Sequence, residues 1–373
     1  MLDKARARQL WLHAQKLDQR APFGQGPAAT AAAVAHLGYV QIDTIHVVER
    51  CHHQILYTRI PDYRRAHLHQ AQSADKTVFE YWTHALSYVP TQDYRFFVAA
   101  MRAEARSRNA WFGSVRPADV RKVLRLLRTQ GPLTIRDIDD DVLTEKSHEW
   151  GSRKPSKRAL QLLFYRGLVT VSRRSGMLKT YDLATRHFGW DKAPKAATTR
   201  ETLDYLLDRA LRAQGIVSLA SICHLDAGRK AGMLRLIQAR STRGELVPVA
   251  IDGIAHWVTP ASIEKNFERS ASLVHILSPF DPLVIQRKRL ELFFGYAHLF
   301  EAYVPKAKRR YGYFTHPVLV GDEIVAVLDL KTDRERGKLL MQRWTWVAKG
   351  ARREYKRRIE EELGRFERFQ LDC

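Results

Sequence analysis

The chain has 373 residues, with 62 Lys and Arg against 40 Asp and Glu, a formal net charge of +22 and a pI near 10.1. A hydrophobic content of 45% provides enough apolar material for packed cores and excludes a disordered chain. The basic excess predicts a polyanionic partner, either a nucleic acid or an anionic membrane surface.

The sequence gives no support for membrane insertion or for disulfide chemistry. No uncharged apolar run reaches the about 18 residues that a spanning helix needs, and the N-terminus lacks the apolar core of a signal peptide. Cys51, Cys223 and Cys373 are scattered, which is typical of a reducing cytosol and argues against a cysteine zinc site. We therefore predict a cytoplasmic, nucleoid-associated protein that has no membrane partner.

A first winged-helix domain is predicted over residues 1–115. Residues 3–17 and 28–37 have apolar side chains at helical spacing, and Gly38 is expected to end the second helix. Residues 39–45 then alternate as a strand does. Two helices followed by a strand are typical of the start of a winged-helix domain.

A second winged-helix domain is predicted over residues 116–198. Helical and strand patterns occupy 118–128, 135–139, 156–166, 168–171 and 178–183. The third helix of such a domain enters a DNA groove and its wing lies on the backbone, so four basic side chains are predicted to contact DNA. These are Lys157 and Arg158 on the helix and Arg173 and Arg174 at the wing tip. Residues 101–200 hold 22 basic and 10 acidic residues, net +12, although a solvated basic face is the alternative interpretation.

The remaining chain predicts a third winged-helix domain over 199–275 and a small sheet with a C-terminal helix over 276–373. Helices are expected at 202–214, 216–223, 227–240 and 348–369, and strands at 246–249, 256–258, 311–320, 323–331 and 338–347. Asp252-Gly253 is expected to form the hairpin turn of the third domain. The predicted fold class is α+β, mainly α, with tandem winged helices and a C-terminal antiparallel β-sheet or barrel.

Gln41 and Asp43 form the first candidate site. Two residues apart on a strand, they would project to one face, and burying such a pair is costly unless it is satisfied or functional. A carboxylate can polarise water or stabilise a cation, and an amide can orient the same water. The alternative is a solvent-facing strand edge, because a Gln-x-Asp triplet carries little information.

A metal site has weaker support. Adjacent histidines such as His52 and His53 point apart on a strand and about 100° apart on a helix, so they do not form a natural chelating pair. We therefore predict no metal and no cofactor. A metal-dependent nuclease, with Asp43, Glu49 and the two histidines as ligands, is retained as an alternative. The aromatic segment 79–90 suits either a core or base stacking.

Three long segments resemble the YcaQ branch of the YcaQ/AlkZ bacterial DNA glycosylases. They are LGYVQIDTIHVVERCHHQILYTRIPDY (37–63), EYWTHALSYVP (80–90), and SPFDPLVIQRKRLELFFGY with EAYVPKAKRRYGYF (278–314). The resemblance extends nearly end to end. It implies tandem winged-helix domains and a small β-barrel, curved into a C-shape around duplex DNA, with Gln41 and Asp43 as the catalytic Gln-x-Asp motif.

The resemblance also implies an activity. It implies a monomeric enzyme that hydrolyses the N-glycosidic bond of N7-alkylated purines and unhooks interstrand crosslinks in double-stranded DNA. Residues 41–63 contain no lysine for a Schiff base, which predicts a monofunctional glycosylase. His52, His53 and Arg59 are expected to line the DNA cleft. The alternative is a winged-helix transcription regulator without catalysis, which needs neither Gln41 nor Asp43.

Overall fold

A computed structural model of the protein describes residues 2–106, 110–138, 143, 152–265, 273–348 and 352–371. Packing divides the chain into two discontinuous units. The first unit comprises Met1–Arg65, Thr83–Ser87 and Leu203–Cys373, and the second comprises Ala66–Trp82 and Tyr88–Thr202. The predicted division at residues 115, 198 and 275 stays a prediction. In the described parts, no helix is long and apolar enough to cross a membrane.

The N-terminal third of the chain mixes short helices with a three-stranded sheet in the order β1-β3-β2. Its elements are α1 (Lys4–Ala14), α2 (Gly26–Leu37), β1 (Val40–Gln41), α3 (Cys51–Tyr57), α4 (Arg65–Ser73), β2 (Val78–Trp82), β3 (Leu86–Pro90) and α5 (Arg95–Arg106). Gly38 ends α2 as predicted, with φ +78°. A Cβ at Gly38 would lie 2.3 Å from the Arg209 side chain, so both the backbone and the packing require glycine.

The next segment forms a three-stranded sheet of order β4-β6-β5 with helices beside it. Its elements are α6 (Pro117–Gln130), β4 (Leu133–Thr134), α7 (Pro155–Tyr165), β5 (Val169–Ser175), β6 (Leu178–Leu183) and α8 (Ala184–Phe188). The predicted helix at 135–139 is a 3-10 turn over Ile135–Asp137, capped by Thr134, and position 139 lies outside the described residues.

The hairpin formed by β5 and β6 turns later than predicted. Arg173 pairs with Thr180 and Arg174 with Lys179 in the ladder, so neither arginine lies at the tip. Gly176 takes a φ of +58° and forms the turn together with Met177. The prediction that Arg173 and Arg174 lie at the tip is therefore wrong, because the strand continues to the glycine that can adopt a left-handed backbone.

A third sheet, of order β7-β9-β8, follows. Its elements are α9 (Thr199–Gln214), β7 (Ile216–Val217), α10 (Leu219–Ile222), α11 (Lys230–Thr242), β8 (Val247–Ile251), β9 (Ile254–Val258) and α12 (Pro260–Glu264). Asp252 and Gly253 make the predicted hairpin turn, both with positive φ. The helix predicted over 216–223 is wrong at its start. Ile216 and Val217 pair with β9, and Ser218 caps the shorter α10.

The C-terminal part confirms the predicted small antiparallel sheet and adds one strand to it. The order is β10-β11-β12-β13. The elements are β10 (Val274–Ile276), α13 (Arg287–Phe294), β11 (Thr315–Val320), β12 (Glu323–Asp333), β13 (Lys338–Trp346) and α14 (Arg352–Leu371). Leu319 and Val327 of this sheet share a buried cluster with Trp11 of α1 and Phe293 of α13. The fold is therefore a mixture of helices and small antiparallel sheets, whereas the tandem winged-helix arrangement and the C-shape stay predictions.

Candidate active site

Gln41 is the last residue of β1, and its side chain is nearly enclosed, with 6% of the residue exposed. His84 Nε2 lies 3.0 Å from Gln41 Oε1. With its Nε2 protonated, the imidazole donates to the amide oxygen, which leaves the two amide N–H donors of Gln41 for other partners. The thiol of Cys51 donates to the main-chain carbonyl of Gln41 over 3.0 Å. The side-chain amide and the main-chain carbonyl of Gln41 are thus each held by another side chain.

His84 is enclosed by rings of the first unit. The Tyr39 ring meets it edge-on at 5.0 Å between centroids, and the His224 ring at 5.7 Å. Burial, with smaller contributions from His224 and Arg209, lowers the pKa of His84 to about 4. The imidazole is therefore neutral near pH 7, with one N–H donor, which suits the contact with Gln41.

Asp43 lies beyond the end of the strand. Ile42 N donates to Leu86 O over 2.8 Å in the last backbone contact with β3, and Asp43 Oδ1 then accepts from Ile45 N over 2.8 Å. The predicted strand over 39–45 is therefore too long, because this side-chain hydrogen bond turns the backbone. The alternation argument for a shared face consequently does not apply to Asp43.

The Asp43 carboxylate is half-buried. Burial raises the pKa of Asp43 above its usual 3.8, and the N–H groups of Ile45 and Thr44 oppose this shift. A carboxylate with partial solvent access can contact a substrate, and partial desolvation strengthens its interaction with a cation. The Asp43 carboxylate is therefore accessible and can interact with a positively charged group.

Helix α3 begins against this segment. Its first residue, Cys51, is fully buried. Burial and then the negative charge of Asp43 raise the pKa of the Cys51 thiol. The protonated thiol is the form that donates to Gln41 O, so the start of α3 fixes the end of β1.

The candidate nuclease ligands are engaged in other interactions. Burial would raise the pKa of Glu49, but His46, His53 and Arg65 outweigh it and hold that pKa well below its usual range. The Arg65 Nε donates to Glu49 Oε2 over 2.8 Å, and His46 Nε2 is 3.2 Å from Oε1. Among the described residues, no three His, Cys, Asp or Glu side chains converge as metal ligands would.

The rings of His52 and His53 are in contact near the start of α3, with centroids 4.2 Å apart and planes tilted by 52°. His52 is buried, whereas His53 is partly exposed and its Nδ1 lies 2.7 Å from the Tyr63 hydroxyl. Burial lowers the pKa of His53 to about 4, so this ring is uncharged near neutral pH. DNA contact by these histidines stays a prediction, and only His53 has surface available for it.

Arg59 does not line a cleft. It is 0% exposed and forms a two-pronged ion pair with Asp281, with N···O distances of 2.7 and 3.0 Å. Its Nε also donates to Gln15 O over 2.9 Å. The prediction of DNA contact is contradicted by this burial, because all of the guanidinium lies inside the packed first unit.

The four residues of the second unit that were predicted to contact DNA divide into two kinds. Lys157 and Arg173 are exposed, whereas Arg158 is buried. The Arg174 side chain is 7% exposed, and its Nε and Nη2 donate to the two carboxylate oxygens of buried Glu80 over 2.5 and 2.7 Å. Lys157 and Arg173 stay predicted DNA contacts, whereas Arg158 and Arg174 belong to the interior.

His84 and Glu80 were not predicted as site residues. Both lie in the segment EYWTHALSYVP, where the aromatic side chains dominate the pattern. Their partners are distant in sequence, 43 residues for His84 with Gln41 and 94 residues for Glu80 with Arg174. The resemblance of this segment to glycosylases was the one available signal, and it pointed to the segment without assigning either residue.

The fold is similar to that of a solved structure. The structure of Streptomyces sahachiroi DNA glycosylase AlkZ is similar with a TM-score of 0.58 at 16% sequence identity, covering 98% of this chain and 96% of that chain. At this identity the likeness shows the fold alone.

The sequence profile of the family described as "DNA glycosylase AlkZ-like" matches residues 34–369, which include Gln41 and Asp43. The chain therefore belongs to the AlkZ-like DNA glycosylase family, as the sequence resemblance predicted. Membership identifies DNA as the substrate.

Proposed function

We propose that this protein hydrolyses the N-glycosidic bond of N7-alkylated purines in duplex DNA, with Asp43 and Gln41 as its catalytic residues. The observation that carries the proposal is a half-buried carboxylate two residues from an amide held by His84, within a chain of the AlkZ-like family. The pair supplies one negative charge and one set of oriented donors.

The chemistry of the lesion suits so small a site. An N7-alkylated purine is positively charged and leaves without protonation, so a general acid is not required. The transition state places positive charge on the sugar, as in glycoside hydrolysis. The Asp43 carboxylate stabilises this oxocarbenium ion and accepts a proton from the attacking water.

Gln41 orients the water or the sugar in this mechanism. Because the His84 N–H engages the amide oxygen, the amide group is held in one orientation and its N–H donors have a defined direction. The contact of Cys51 with Gln41 O supports the same backbone position. The His84 imidazole thus acts through Gln41 as a positioning residue.

We further propose that the enzyme is monofunctional and unhooks interstrand crosslinks. Hydrolysis by an Asp-activated water leaves an abasic site, and residues 41–63 contain no lysine to form a Schiff base. A crosslinked base is tied to the opposite strand and cannot enter a closed pocket, so an open cleft suits this lesion. The exposed side chains of Lys157 and Arg173 in the second unit would contact phosphates of the same duplex.

The experiment is incubation of the protein with a duplex containing one N7-methylguanine, and with a nitrogen-mustard-crosslinked duplex, followed by alkaline cleavage of abasic sites. We expect strand cleavage only after alkali, separation of the crosslinked strands, and no effect of EDTA. Tight binding of undamaged DNA, with no abasic sites formed in the damaged duplexes, would instead indicate a transcription regulator. EDTA-sensitive cleavage without alkali would indicate the metal-dependent nuclease.

A further inference from the structure

A loop of the first unit presents an exposed aromatic ring among positive charges. Tyr303 is 82% exposed, the highest value among the exposed large hydrophobic side chains of the described residues. The following residues Lys306, Lys308 and Arg310 are also exposed. Positions 302–321 contain four basic residues and no acidic one. A largely exposed aromatic ring beside basic side chains provides the two groups that bind single-stranded or unstacked nucleic acid, a stacking surface and positive charge.

The loop is rigidly closed at its base. Glu301 is buried, and its carboxylate accepts from the backbone N–H groups of Arg310 and Tyr311 over 2.6 and 2.7 Å. Arg309 Nε donates back to Val304 O over 2.7 Å. The exposed ring is therefore carried by a preorganised loop, which lowers the entropic cost of binding.

The loop is also anchored near the candidate active site. Phe300 packs against Tyr303 and against Phe314, with ring centroids 6.0 and 6.1 Å apart. Two residues after Phe314, His316 Nε2 lies 3.1 Å from the side chain of Gln54 on α3. Since α3 begins at the residue that contacts Gln41, the loop is attached to the helix that supports the candidate catalytic residue.

We propose that the loop from Glu301 to Tyr311 is a DNA-contacting element. In this loop, Tyr303 stacks on a base that has lost its stacking neighbour at an abasic site, while Lys306, Lys308 and Arg310 contact phosphates. Aromatic side chains stack on any base, because every base has a π-face. Basic side chains hold the backbone without reading sequence. This assignment rests on the family's DNA substrate and does not require base release by Asp43.

The test is fluorescence anisotropy of the full-length protein with two labelled duplexes, one intact and one containing a tetrahydrofuran abasic-site analogue. Tyr303→Ala should weaken binding of the abasic duplex by about 5-fold or more and change binding of the intact duplex much less. Tyr303→Phe keeps the ring and should bind as the wild type does. Leu225→Ala, which alters another side chain with 77% exposure, is the matched control and should change neither affinity.

The charges are tested by the salt dependence of binding. The double variant Lys306→Ala with Lys308→Ala should bind both duplexes more weakly, by the same factor. It should also lower the slope of log Kd against log salt concentration by about 1.8, since each lost phosphate contact removes about 0.9. Lys356→Ala, on an exposed face of α14, should leave the slope unchanged.

Two results would overturn the proposal: abasic-duplex binding by Tyr303→Ala equal to that of Tyr303→Phe, or an unchanged salt slope in the double lysine variant. If these variants lost binding to phosphatidylglycerol vesicles but kept the DNA affinity of the wild type, the loop would be assigned to a membrane surface instead. These measurements follow binding alone, so they remain interpretable if the protein releases no base from alkylated DNA.

Discussion

Gln41, the amide that we propose to be catalytic, is held in place by its neighbours. Its side chain is almost enclosed, its amide oxygen faces the His84 Nε2, and its carbonyl oxygen accepts from Cys51. Preorganised groups of this kind need no reorientation when charge develops in the transition state. Asp43 differs, because it keeps partial exposure while burial raises the pKa of its carboxyl group.

Replacing His84 should therefore slow base release without weakening DNA binding. His84→Ala removes one hydrogen bond to Gln41, which corresponds to about a 2- to 10-fold lower single-turnover rate constant. His84→Gln, whose amide nitrogen reaches nearly the position of Nε2, should recover part of this loss. Equal rate constants for His84→Ala and the wild type would show that His84 does not position Gln41.

The pH dependence of base release should show the raised pKa of Asp43. The ionised carboxylate is the active form, so activity is present above the pKa and is lost as pH falls through it. Because burial raises that pKa, the acid limb of the rate profile should lie above the usual value of 3.8. His84, with a pKa of about 4, stays neutral over most of this range. Single-turnover rates at decreasing pH test this, and an acid limb below 3.8 would contradict it.

At the scale of elements, local chemistry predicted the turns that depend on glycine. Gly38 and Gly253 behave as expected because their effects act within a few residues. The errors arose where a distant or competing partner decides the structure. The Asp43 side chain turns the backbone soon after β1 ends, and the partner of Arg174 lies 94 residues away in sequence.

Strand β5 offers a direct comparison of two neighbouring arginines. Arg174→Ala leaves the Glu80 carboxylate buried, with Lys179 3.8 Å away as its remaining ion-pair partner. It should lower the free energy of unfolding by about 3 kcal/mol. Arg173→Ala, at an exposed position, should leave stability unchanged and weaken DNA binding. Denaturant unfolding and anisotropy measure the two effects, and equal stability of both variants would refute the distinction.

At the scale of the whole molecule, the first unit is assembled from segments far apart in the chain. Arg59 lies just after α3 and joins two of these segments, because its guanidinium contacts Gln15 near the end of α1 and Asp281 in the loop before α13. The prediction that Arg59 lines the DNA cleft was wrong because the residue is buried in an ion pair. Its acidic partner is 222 residues away and could not be paired with it by spacing.

Breaking this contact should destabilise the first unit as a whole. Asp281→Asn leaves the Arg59 guanidinium buried without a counter-charge, which should cost about 3–5 kcal/mol in the free energy of unfolding. Glu360→Gln removes an exposed partner of Lys356 and should cost less than about 1 kcal/mol. Similar midpoints of denaturant unfolding for the two variants would contradict the structural role of Arg59.

The proposed mechanism depends most on the Asp43 carboxylate and its action on the glycosidic bond. Its decisive test is single-turnover release of 7-methylguanine from a duplex by the wild type and by Asp43→Asn, with DNA affinity measured alongside. We expect the variant to bind DNA with unchanged affinity and to release the base at least about 100-fold more slowly. Release of 7-methylguanine by Asp43→Asn at the wild-type rate would contradict it.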